Sequence, residues 1–173
     1  MKIAAANEFF SNIDRLPLGK RNALRDEAKN QFGQVERPST YAHFFSCLPE
    51  SIPEELESRF YFAACLHCLW PVGTTNRLPV EEILWDMTRK DAQKQKKLEH
   101  DLKILLDYQW GTGDILPGKI YHLARIFKNE GYAIDCAALL DDLINWDDLK
   151  QTVQLKWSRA VYMKPGTDGI LYC

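Results

Sequence analysis

The chain has 173 residues and a formal net charge of −2, long enough to bury a core but with no bulk charge that would draw it to a polyanion. Its composition is that of a soluble globular protein, which excludes a disordered or collagen-like chain. The most apolar run, "FYFAACLHCLW", is about half the ~20 residues that a membrane span needs.

Apolar residues recur at helical spacing almost throughout. Ala4 to Leu16 predicts a first helix with Phe9, Ile13 and Leu16 on one stripe, broken by "LPLG". Gly19 to Phe32 predicts a second and Thr40 to Leu48 a short third, stopped before Pro49. Ser51, Pro53 and Glu54 form an N-terminal signal for the next helix, which runs to Trp70 and becomes apolar all round, as a central bundle helix does. "PVGTTNRLP" is expected as a loop, Val80 to Thr88 as a short helix and Ala92 to Tyr108 as a longer one. After a second expected loop, "QWGTGDILPG", Lys119 to Glu130 predicts a helix closed by Gly131. Asp135 caps a helix to Ile144, and Asn145 caps the last one, with Asp147 and Asp148 suited to its positive start.

The fold expected is all-α, two packed helical bundles of about eight helices, divided as residues 1–75 and 80–164 with a loose tail over 165–173. With no leader pattern at the N-terminus, a cytoplasmic location and free thiols are expected for the five cysteines. "CLHC" pairs Cys65 and Cys68 around His67, but no second ligand pair stands at zinc spacing, so small buried thiols are expected and no cofactor or metal. Nor does a catalytic constellation emerge. There is no glycine-rich phosphate loop, the four histidines are scattered, and neighbouring acids such as Asp141 and Asp142 diverge by ~100° on a helix.

The informative stretch is Ile144 to Tyr162. If it is one helix, Trp146, Leu149, Val153, Trp157 and Ala160 share a narrow face that must be core. Lys156 and Arg159 then fall off that stripe, side by side towards solvent. They are either a solvated flank or a cationic patch for phosphate. On the same reasoning Arg21, Arg25 and Lys29 line one stripe of the second helix. Lys119, Arg125 and Lys128 surround the polar side of the helix from Lys119, opposite Ile120, Leu123, Ala124 and Phe127. A fourth cluster, Lys94, Lys96, Lys97 and Lys103, is diluted by Glu99 and Asp101. The acids are grouped as well, at Glu50 to Glu57 and Asp135 to Asp148, which predicts a polarised surface whose acidic ends face protein neighbours.

"AIDCAALLDDLINWDDLKQTVQLKWSRAVY" resembles the C-terminal signature of the CasB family, small subunits of the type I-E CRISPR surveillance complex Cascade. "GKRNALRDEAK", "YAHFFSCLPE", "RFYFAACLHCLWP", "LKILLD" and "YHLARIFKNEG" resemble further family elements in the same order, so the resemblance runs from about residue 9 to 164. The chain departs from the pattern at "RLPVEEIL", at Asp101 where an arginine is usual, and at Cys136 where an aromatic is common. The resemblance implies two helical bundles without catalysis, a second copy alongside, and contact with repeated backbone subunits, the large subunit, CRISPR RNA and target DNA. Such a subunit stabilises the guide–target heteroduplex and the displaced strand without reading sequence. It implies phosphate contacts for the cations named above, Arg21, Arg25, Lys29, Lys119, Arg125, Lys128, Lys156 and Arg159. On the residues alone, a helical protein-binding adaptor without nucleic-acid contact stays open.

Overall fold

The computed structural model describes residues 3–29, 38–49, 52–111 and 115–163. The described chain is built of α1 (Ile3–Arg15), α2 (Leu18–Lys29), α3 (Pro38–Phe45), α4 (Glu54–His67), α5 (Val80–Lys90), α6 (Ala92–Leu106), α7 (Ile115–Asn129), α8 (Cys136–Ile144) and α9 (Thr152–Tyr162). A two-residue parallel ladder joins β1 (Arg77–Leu78) to β2 (Ala133–Ile134). The architecture is all-α, as the periodicity predicts; the ladder is too short to leave an alternating signal.

Local sequence explains most of the elements. Ala6, Phe9, Phe10 and Ile13 of α1 recur at helical spacing and all are buried. In α4 every residue from Phe60 onward is buried, and the helix packs against α1, α2, α7 and α8. That is the central position expected of a helix that is apolar all round. Glu54, Glu55 and Glu57 complement its positive start, while Pro53 at the cap supplies no side-chain bond; the expected cap Ser51 lies outside the described residues. Asp135 caps α8 as expected, its carboxylate accepting from the amides of Ala137 at 2.9 Å and Ala138 at 3.1 Å. Its own amide donates to the Leu78 carbonyl at 2.8 Å, which ties the cap to the ladder.

Two expectations are corrected. α7 begins at Ile115, four residues before the expected Lys119, with Pro117 inside its first turn. A proline is harmless there because the first amides of a helix have no intrahelical acceptor. The segment from Asn145 is not one helix. α8 ends at Ile144, the chain turns through residues 145–151, and α9 starts only at Thr152, after Gln151 in a left-handed conformation at φ 50°. Leu149, expected in the core, is therefore 99% exposed.

Both indoles of this segment are nonetheless fully buried, meeting edge to face at 5.1 Å. They approach each other across the turn rather than along one helix face. Each indole N–H is satisfied, Trp146 donating to the Tyr108 carbonyl at 2.8 Å and Trp157 to the Asp142 carboxylate at 2.9 Å. Gln154 closes the turn by donating to the Trp146 carbonyl at 2.6 Å.

The buried residues form one continuous apolar cluster. α8 lies against α1 and α4, while α5, α6 and α9 pack on one another and α7 joins α6 and α4. The tail over 165–173 lies outside the described residues.

Trp157→Ala is expected to cost about 3–5 kcal/mol of stability, whereas Leu149→Ser should change it by less than ~0.5 kcal/mol. Urea unfolding of the two variants checks both; a comparable loss in each would contradict the turn.

Candidate nucleic-acid interface

The eight cations expected to meet phosphate divide into three groups. The first is tied to carbonyls at the end of α4. Arg21 is only 5% exposed. Its guanidinium donates to Asp14 of α1 and, at 3.3 Å, to the carbonyl of Trp70. Lys128 donates its ammonium to the carbonyl of Leu69. Both therefore place positive charge at the C-terminal exit of α4, where carbonyls without intrahelical partners and the negative end of the helix dipole converge. Arg21 is thus removed from the solvent stripe expected with Arg25 and Lys29. Helical spacing placed it outward, but the acid that draws it in lies seven residues earlier on another helix.

The second group is held at the boundary. Lys156 makes a 2.5 Å ion pair with Asp142, itself buried beneath Trp157, and a 3.4 Å pair with Glu81 of α5. Burial works to lower the Lys156 ammonium, but Asp142 and Glu81 outweigh it and raise it above the usual lysine value. Arg25 is half-buried and leans 3.4 Å from the carboxylate of its neighbour Asp26. Lys119 is half-buried near the start of α7.

Of the remaining three, two face water. Arg125 of α7 and Arg159 of α9 are exposed and make no ion pair among the described residues. Lys29 closes α2, and its side chain lies outside the described set. Lys96, Lys97 and Lys103 on α6 are exposed too, so three cations of the cluster that looked diluted in sequence stand in solvent.

Several acids are also engaged within the fold. Asp135 is a cap, Asp142 is under Trp157, and Asp147 accepts from Arg59 at 2.6 Å and from the Trp110 amide at 2.9 Å. Arg59 also lies over the Trp110 ring at 5.5 Å. The expected acidic end is correspondingly thinner, because capping and interhelical pairing use up those carboxylates. The Arg59–Asp147 pair joins residues 88 apart, and no local pattern in the sequence signals it.

"CLHC" lies at the buried end of α4. His67 bonds Asp14 through Nε2 at 2.9 Å and stacks on Phe10, while its Nδ1 has no hydrogen-bond partner among the described residues. Burial, opposed in part by Asp14, pushes the imidazole below its ordinary value. Burial pushes the thiols of Cys68 and Cys136 up to about 12. Among the described residues no group of histidine, cysteine and acid is arranged to hold a metal ion.

The geometry generates two predictions. As pH falls from 7 to 5, an unfolded chain protonates His67 near its ordinary value while the folded one, with its value lowered, resists, so stability falls with pH. His67→Gln should flatten that slope in denaturant titrations at each pH; an unaltered slope would contradict the assignment. Reversing Lys156 sets a third acid beside Asp142 and Glu81. Lys156→Glu should lose roughly 2 kcal/mol, less than the ~3–5 of a fully buried pair because the ammonium is partly exposed. Arg159→Glu should unfold with the parent.

No protein-family model and no curated protein matches the chain. Solved structures do. A CRISPR-associated protein of the Cse2 family from Thermus thermophilus is similar at 22% identity, over 91% of this chain and 97% of that one, with a TM-score of 0.69. CasB of M. ruber is similar at 18% identity, over 91% and 92%, with a TM-score of 0.70. CasB from Thermus thermophilus is similar at 21% identity, over 91% and 97%, with a TM-score of 0.66. The ordered helices, the central α4 and the buried indole pair are therefore built on the fold of the Cse2 and CasB proteins.

Proposed function

We propose that the chain is a non-catalytic small subunit of a type I-E CRISPR surveillance complex. In this reading it stabilises the guide–target heteroduplex and the displaced strand through backbone contacts that do not read sequence. One observation carries the reading. The CasB-like elements occur in family order along the sequence, and the same chain takes the Cse2 and CasB fold over 91% of its length.

The physics suits this role. Exchange of a DNA duplex for an RNA–DNA heteroduplex is nearly balanced, so a few added phosphate contacts tip it. Arg125 and Arg159, held on packed helices and exposed, are the proposed contacts, with Arg25, Lys119 and Lys29 in support. Guanidinium groups clasp phosphate bidentately at no cost in sequence preference. Arg21, Lys128 and Lys156 are assigned instead to holding the fold. Backbone subunits, the large subunit, CRISPR RNA, target DNA and a second copy are the proposed partners, in the cytoplasm; no described helix is long and apolar enough to cross a membrane.

The test is to tag the full chain in its native cell and purify what assembles with it. Repeat-derived short RNA and filament-forming subunits should co-purify. In the assembled complex, Arg125→Ala with Arg159→Ala should weaken target-DNA retention and reduce the slope of log affinity against log salt by about 1.4–1.8. Proteins captured without RNA would replace the reading with that of a helical adaptor, and an unchanged salt slope would remove these two arginines from the contact.

A further inference from the structure

A groove lies between α6 and α9 that the phosphate contacts do not use. The Tyr162 hydroxyl donates to the Glu99 carbonyl at 3.2 Å, so the last turn of α9 sits beside the middle of α6. From there the groove runs along both helices to the turn that precedes α9. It is lined by Leu106, Leu155 and Tyr162, with Lys103 partway along and Asp107 and Asp148 beyond it. Leu155 and Tyr162 are 49% and 50% exposed, and Leu149, on the turn at the same end, is bare to water.

At 100° per residue along α9, Leu155 and Tyr162 share one edge with Ser158 inside the groove. Arg159, four residues after Leu155 and three before Tyr162, borders the same edge, and Lys156 lies beyond it, turned to α5. The guanidinium therefore stands at the rim of the apolar strip, and the carboxylates lie at its far end.

We propose that this groove is a docking surface for an amphipathic helix of a neighbouring protein subunit. The helix presents an apolar face to Leu106, Leu155 and Tyr162, a lysine or arginine to Asp107 and Asp148, and a carboxylate to Lys103. A cleft between two helices with apolar points in its wall takes such a helix along its length. Charge complementarity chooses the occupant. Asp107 and Asp148 are exposed at the end of the groove, repel phosphate and attract a basic side chain, while leucine and tyrosine offer nothing to a sugar–phosphate backbone. The partner being a subunit of the same complex rests on the function proposed above; the chemistry of the groove does not.

The experiment replaces Leu155 with the photo-crosslinking residue p-benzoyl-L-phenylalanine in the full chain, expressed in its native cell and irradiated in the assembled state. Mass spectrometry of the adduct should identify a different polypeptide, on an apolar helix face that carries a basic residue. Asp107→Lys should lower the adduct several-fold with no change in the thermal midpoint of the chain. An adduct on nucleic acid or on a second copy of this chain, no adduct, or one indifferent to Asp107→Lys would overturn the groove. Co-purified RNA is measured in the same preparation. RNA without the adduct overturns the groove alone, and the adduct without RNA overturns the surveillance-complex reading and keeps the groove.

Discussion

Trp146 and Trp157 meet edge to face inside the protein, and the position of the last helix follows from that contact. Their ring centroids are 5.1 Å apart and neither ring reaches water. Because Trp146 stands on a turn and Trp157 within α9, the pair pins the helix by its middle while Gln154 pins its start. Asp142 then accepts from the Trp157 indole and from Lys156 together. A buried carboxylate needs a counter-ion more than a solvent flank needs a lysine, so Lys156 turns in. Arg159, three residues on, makes no ion pair among the described residues and is exposed. One aromatic contact therefore sorts two neighbouring cations into different tasks.

The exit of α4 sorts cations in the same way. This helix is the hub of the bundle, and its last carbonyls emerge among other elements rather than into bulk water. Arg21 reaches them from α2 and Lys128 from the end of α7. Asp14 neutralises Arg21 and holds His67, so α1, α2 and α4 share one polar junction beside the apolar core. Burial works to raise the Asp14 carboxyl, but its bonds from His67 and Arg21 prevail and hold it below the ordinary carboxylate range.

A clamp for nucleic acid that does not read sequence needs rigid helices and a few projecting cations, and no chemistry. For the role proposed, the packed helices would supply the rigidity and the exposed Arg125 and Arg159 the projecting charge. The groove beside α9 has a mixed character, with leucine and tyrosine in its wall, Lys103 partway along and carboxylates at its end.

Periodicity determined the helical class, the central role of α4, the Asp135 cap and the burial of both tryptophans. These depend on residues within a turn or two of each other, so the chain itself carries the information. The ordered elements resembling CasB were legible for the same reason, being core faces of successive helices. Which cations are available was decided by the tertiary structure. Arg21 and Asp14 lie on different helices, Arg59 and Asp147 are 88 residues apart, and Lys156 and Asp142 are separated by the turn that a continuous helical reading overlooked. An ion pair forms where packing brings two charges within a few ångströms, and helical spacing reports only the angle at which each side chain leaves its own helix. Leu149 shows the same limit from the apolar side. Its spacing suited a core stripe, but the turn at Gln151 broke the helix that would have carried it inward.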